Sequence, residues 1–195
     1  MSWTRLLFAA WACVTLAAQA ADGSNLPEIK RSKLGLYLTA VEAHALVQAN
    51  PAEVLFLDVR SRGEVEFLGM PAGADAHVPY MESSEWGAWD TQRSNFLMEP
   101  NSDFLSEVAR RLNDKNLTKD AVLVLICRSG DRSAKAANLL AEAGYTRVYS
   151  VTDGYEGDLA KDGPLKGRRA VNGWKNADLP WSYALDKKKM YKIEQ

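Results

Sequence analysis

Cysteine is scarce in this chain: its 195 residues hold two, Cys13 and Cys127. That is too few to staple a small scaffold with disulfides. Excess charge of either sign is also missing, with 24 Lys and Arg against 25 Asp and Glu. Near-neutrality gives no support for nucleic-acid binding, which draws on a strongly basic balance or stripe. Beyond the first twenty residues no apolar run approaches the length of a membrane span, and no internal repeat is visible.

What the chain does have begins at its amino end. Arg5 gives a positive start, an apolar stretch runs over residues 6–16, and Ala18-Gln19-Ala20 offers a small-residue cleavage site. Residues 1–20 therefore read as a secretory signal, and the expected location is periplasmic or secreted. The alternatives are an uncleaved anchor or lipidation at Cys13, although Ala10-Trp11-Ala12 lacks the leucine usual before a lipidated cysteine. Cutting after Ala20 leaves 175 residues, enough for one full core, and removal of Arg5 takes the formal charge from −1 to −2. It also leaves Cys127 alone. A lone thiol is a liability in an oxidising compartment, open to sulfenylation and mixed disulfides, so its retention argues for chemistry.

Strands and helices alternate along the mature chain, predicting an α/β fold with a mostly parallel central sheet covered on both faces. Residues 21–34 form a polar leader expected to pack late or loosely. The domain proper spans residues 35–160. Thr39 and Glu42 make a capping box before a helix over residues 40–48, which Pro51 ends. A buried strand over 54–57 runs into Asp58-Val59-Arg60, then a short helix over Arg62–Leu68 stops at Gly69 and Pro71. Ala76-His77-Val78 makes another short strand. Residues 80–100 show no clean period and carry Trp86, Trp89 and Phe96, which marks an insertion or a wall of the site. A helix over 104–112, a strand over Val122–Ile126, a helix over 133–143 capped by Gly144 and a strand over 147–151 complete the unit. Residues 161–195 are expected to wrap the domain through their tryptophans, with Lys187–Lys189 a solvated run.

The chemistry concentrates in Cys127-Arg128-Ser129-Gly130-Asp131-Arg132-Ser133, directly after the apolar strand. Such a loop can aim successive backbone N–H groups at the sulfur, and the next helix adds its positive end. A thiolate is favoured there, which makes Cys127 a nucleophile; the competing account is a buried small hydrophobe. Arg128 and Arg132 are placed to hold an oxyanion, with Arg132 turned inward. Gly130 permits a left-handed backbone, Ser133 is placed to cap the helix, and Asp131 faces solvent or pairs with an arginine.

This pattern resembles the rhodanese family of sulfurtransferases. The resemblance also rests on Asp58-Val59-Arg60, on Gly73-Ala74 leading into His77-Val78-Pro79, on Ala136, Leu139, Leu140 and Ala143-Gly144-Tyr145, and on Gly154-Tyr155-Glu156-Gly157. It covers about residues 36–157. It implies a rhodanese-like three-layer α/β/α domain and a persulfide on Cys127. The donor would be thiosulfate or another small sulfur-containing anion, and the acceptor cyanide or a thiol. No metal or organic cofactor is implied. Cys127, Arg128 and Arg132 would be catalytic, and Ser129, Gly130, Asp131, Ser133 and Arg60 would bind substrate. Asp58 would give structural support by accepting hydrogen bonds near the loop, and Arg60 is its partner or a rim charge. His77 reads as an ordinary strand-end histidine. Where the family often has Gly-His-Ile, the chain has Gly69-Met70-Pro71. The related dual-specificity phosphatases place arginine after five intervening residues, where this chain has Ser133. The alternative to an enzyme is a sulfur-carrier or partner-binding module in an exported complex.

Overall fold

Val122, Val124 and Ile126 belong to one buried apolar cluster, while Leu123, Leu125 and Cys127 belong to another. Val54 and Phe56 join the first cluster, and Leu55, Leu57 and Val59 the second. Successive strand residues face opposite ways, so a strand buried throughout must lie between two apolar layers. The computed structural model describes residues 23–83, 87–92 and 94–192. The expected signal at residues 1–20 and the insertion's Trp86 lie outside the described residues.

Within them the elements run β1 (Tyr37–Leu38), α1 (Ala40–Ala49), β2 (Val54–Asp58), α2 (Arg62–Leu68), β3 (Met70–Pro71), β4 (Ala76–His77), β5 (Met81–Ser83), β6 (Trp89–Asp90), β7 (Asn95–Phe96), β8 (Met98–Pro100), α3 (Phe104–Asp114), β9 (Val122–Ile126), α4 (Asp131–Glu142), β10 (Val148–Val151) and β11 (Trp181–Ser182). Five strands form the central sheet in the order β1-β10-β9-β2-β4, and every pair in it is parallel. Helices α3 and α4 cover one face through Phe104, Val108, Leu112, Ala136, Ala137 and Leu140. Helix α1 covers the other through Ala40, Ala43 and Val47, with Trp174 of the carboxyl-terminal extension beside it. This is the three-layer α/β/α arrangement.

Local signals in the chain set these boundaries. The Thr39 hydroxyl accepts the Glu42 N–H, and the Glu42 carboxylate accepts the Thr39 N–H. Such a cap contributes roughly 1 kcal/mol to a helix start. Strand β9 is central in both sequence logic and space. Ligand sites gather at the carboxyl ends of such strands, and Cys127 follows β9 directly.

The insertion folds as two short antiparallel pairs, β5 with β8 and β6 with β7. The Arg62 N–H donates to the Glu82 carboxylate at 2.9 Å, tying this ribbon to the start of α2. The leader differs from expectation: its described part is held firmly. Lys30 is buried and pairs with Asp158 at 2.7 Å, and the Lys33 N–H donates to Asn138 of α4. The extension crosses the α1 face, where the Trp174 ring meets Phe56 and its Nε1 donates to the Pro180 carbonyl. Strand β11 then pairs with β3. Among the described residues no helix is long and apolar enough to cross a membrane.

Candidate active site

Cys127 is fully buried where β9 gives way to α4. The Gly130 N–H donates to its Sγ at 3.1 Å. Helix α4 opens directly after, at Asp131, so the positive end of its dipole begins next to the amide that bonds the sulfur. Gly130 has φ +100°, and a Cβ there would sit 2.1 Å from the Thr152 carbonyl oxygen. Gly154 plays the matching part, because a Cβ on it would lie 2.6 Å from the backbone of Arg128 and Ser129. The two glycines let the cysteine loop and the turn after β10 interlock. Backbone bonds then lock them: Tyr155 N–H to the Cys127 carbonyl, and Glu156 N–H to that of Arg128.

Helix α4 therefore starts at Asp131, two residues earlier than expected, with Gly130 as its cap. Ser133 is not the cap and does not reach the substrate side. It is fully buried, its hydroxyl bonded to the Gly130 carbonyl and 3.5 Å from Sγ. Ser150 donates to the same hydroxyl at 2.9 Å. Of the loop amides, the Gly130 N–H alone bonds the sulfur among the described residues, fewer than the ring of donors expected from sequence.

A cavity of about 520 Å³ opens over the loop. Arg128, Ser129, Asp131 and Arg132 line it from below, Ser61 and Glu64 from the start of α2, and Met81, Phe96, Leu97 and Met98 from the insertion. The insertion is thus a wall of the site. Cys127 itself is not exposed to the cavity. Asp131 bridges the two: its Oδ1 lies 3.9 Å from Sγ, and it forms no ion pair with either loop arginine.

The arginines differ from expectation. Both Nη atoms of Arg132 bond the Glu64 carboxylate at 2.6 Å, so this guanidinium is already matched by an internal anion. Glu64 also accepts the N–H and the hydroxyl of Ser61. Burial alone would raise the Glu64 carboxyl, but Arg132 and Ser61 together pull it down to about 2. Arg132 moves the opposite way, above its ordinary value: burial opposes the shift and the Glu64 partnership overrides it. Arg128 is half-exposed and pairs through Nε with Glu156 at 2.7 Å.

Arg60 does not bind substrate in this geometry. It is completely buried, its guanidinium on the Asp58 carboxylate and the Gly69 carbonyl, with its plane 3.8 Å above the centre of the Tyr155 ring. Desolvation would lower the Arg60 guanidinium, but Asp58 raises it past its ordinary value. Asp58 accordingly serves Arg60 instead of the loop amides, and its link to the loop passes through Tyr155, whose N–H holds the Cys127 carbonyl. The His77 ring bonds the Arg60 carbonyl at 2.8 Å, and burial pushes its basicity down. Glu64 is the residue that sequence reasoning missed. Its signal was present: Ser61 followed three residues later by a glutamate is a helix-start pattern. Among the described residues no three His, Cys, Asp or Glu side chains cluster as metal ligands.

A parallel sheet thus delivers one buried thiol to a helix start, under a cavity rimmed by arginine. The model of the rhodanese-like domain family matches residues 39–161, and the chain belongs to that family. It is 28% identical over 146 residues to an uncharacterised protein of Rickettsia rickettsii, covering 75% of this chain and 96% of that one. Thiosulfate sulfurtransferase 18 of Arabidopsis thaliana is 34% identical over 100 residues, which is 51% of this chain and 62% of the plant protein. The crystal structure of Rv0390 from M. tuberculosis superposes with a TM-score of 0.56 at 29% identity, covering 75% of this chain and 96% of that chain. The family is thus one that includes sulfurtransferases.

Proposed function

We propose that this protein is a sulfurtransferase that carries sulfane sulfur as a persulfide on Cys127. The carrying observation is the placement of Sγ against the Gly130 N–H at the start of α4, where negative charge on sulfur is met by that one backbone donor and the helix dipole. With thiosulfate as donor, the Cys127 thiolate attacks the outer sulfur. The S–S bond breaks, its electron pair leaves with sulfite, and Cys127 holds S–S⁻. An acceptor such as cyanide or a thiolate then takes the outer sulfur and returns Cys127 as thiolate. Charge balances at both steps, and no proton transfer is demanded of a side-chain base. The name of the plant relative supports thiosulfate as donor, and the signal-like residues 1–20 support action in the periplasm or outside the cell. Phosphoryl transfer fits less well: the loop is one residue short, and the arginine such chemistry would use is held by Glu64.

A second reading has its own observation. Phe96 lines the cavity and meets Trp89 edge to face, while Trp89 and Phe96 stay 53% and 61% exposed. Exposed aromatics beside the site favour a carrier that hands its sulfur to an exported protein partner. Intact mass after exposure to thiosulfate tests the main proposal. The expected result is a gain of about 32 Da, removed by cyanide and absent from Cys127→Ser, as covalent catalysis at that thiol requires. No gain on the parent protein overturns it. Rapid thiocyanate turnover then identifies an enzyme, and loading without turnover to small acceptors a carrier.

A further inference from the structure

Arg169 lies in the carboxyl-terminal extension, beyond the segment that matches the family, yet it lines the same cavity as Arg128 and Arg132. Its Nη1 donates to the Gly157 carbonyl, and a backbone bridge between Arg169 and Leu159 fixes the chain beneath it. The contacts hold one guanidinium near another. Among the described residues the ion pairs of the cavity's arginines are Arg132 with Glu64 and Arg128 with Glu156, and Arg169 has none. Its Nε is buried without a partner there. Burial, and after it the charge of Arg128, pulls the Arg169 guanidinium below its ordinary value, and the nearby carboxylates of Glu156, Asp158 and Asp131 offset this only in part. A bound anion would relieve both costs. Lys135 also lines the cavity, but it is exposed.

We infer that Arg169 binds the oxyanion end of the sulfur donor, the sulfonate-like group of thiosulfate or a thiosulfonate, and so sets donor specificity. This rests on the persulfide reading and names the residue that recognises its substrate. Arg132 is spent on Glu64, which leaves Arg169 to take the role that the loop arginine was expected to fill. During transfer the donor dianion becomes sulfite, also a dianion, so a cation that holds the oxyanion meets the same charge before and after the S–S bond breaks. Such an interaction lowers KM and leaves kcat nearly unchanged.

Two measurements test this. Thiosulfate binding to the Cys127→Ser protein, which cannot react, is followed by calorimetry with and without Arg169→Gln. Binding weakens about tenfold in Arg169→Gln, the scale of one charge-assisted contact, and about threefold in Arg169→Lys, which keeps the charge and loses the fork. With Cys127 intact, the thiosulfate concentration that half-saturates loading rises by the same factors while the maximal rate changes less than about twofold. Arg169→Lys carries the test should Arg169→Gln not fold. Undiminished binding in the Arg169 variants, or no thiosulfate binding to Cys127→Ser, overturns the inference. Binding that depends on Arg169 in a protein that never gains sulfur keeps the anion site and overturns the persulfide reading instead.

Discussion

The Glu64 carboxylate grips the Arg132 guanidinium with two bonds of 2.6 Å, joining the start of α2 to the first turn of α4 beside the cysteine loop. Both side chains are largely buried, so the pair is shielded from solvent and holds the loop's far end in place. Its charge is internal to the protein, and a donor arriving in the cavity meets a neutral pair where the sequence promised a cation.

The pair sets an acid-side stability window. Glu64 sits at about 2 in the folded protein against an ordinary 4.5, so its stabilisation is complete above about 4.5 and is lost as pH falls through 2. The loss is about 2 kcal/mol for a depression of this kind, smaller than the full shift implies because the carboxylate keeps some solvent contact. Urea unfolding of the parent and of Glu64→Gln between pH 6 and pH 2 checks this. The parent's advantage at pH 6 shrinks towards acid; an advantage that stays constant with pH sinks the account.

Asp58 and Arg60 make a second buried pair, with both side chains fully enclosed. Asp58→Asn leaves the guanidinium without its counter-charge in the interior. The expected cost is about 3–5 kcal/mol in chemical denaturation, whereas Asp58→Leu combined with Arg60→Met costs much less, because an apolar pair of similar volume needs no desolvation. Equal losses in the two proteins would mean that packing against Tyr155, and not charge, governs this site.

Much of the fold was legible because its signals are local. Thr39 and Glu42 state a helix start within four residues, and β9 is apolar throughout because both of its faces are covered. The cysteine loop was legible for the same reason. The roles of its side chains were not, since they are set by partners far along the chain: Glu64 lies 68 residues from Arg132, and Glu156 lies 28 from Arg128. Arg60 fell between two roles because two residues of spacing permit either a rim charge or a turn back onto Asp58. Ser133 was misplaced by the early start of α4, which depends on the fit of Gly130 against Thr152. Arg169 gave no local signal at all.

That fit makes Gly130→Ala a sharp probe of the loop. The left-handed φ and the Thr152 oxygen both oppose a Cβ, so the backbone must shift and the N–H that reaches Sγ moves with it. Sulfur loading from thiosulfate should fall by about tenfold or more, the scale of losing one preorganised donor, with a smaller change in thermal unfolding. Loading at the parental rate in a folded Gly130→Ala protein would show that this amide does not matter to the chemistry.

Asp131 would oppose the proposed sulfur loading. Its carboxylate accepts a long hydrogen bond from the Cys127 thiol, 3.9 Å away, and lines the cavity through which the proposed dianionic donor would come. At the first position of α4 it also competes with the sulfur for the positive end of the helix. Asp131→Asn keeps the shape and removes the repulsion. At low ionic strength, loading by thiosulfate should accelerate by about three- to tenfold, corresponding to roughly 1 kcal/mol of relieved charge contact in a partly solvated cavity. Salt screens the parent more than the variant, so the two rates should converge as ionic strength approaches about 1 M, where the Debye length falls to about 3 Å. The variant also loses a favourable helix-start charge and should unfold more easily by about 0.5 kcal/mol. A loss of stability without faster loading would make Asp131 a favourable helix-start charge alone; faster loading that survives high salt would point to steric release of the buried sulfur in place of charge.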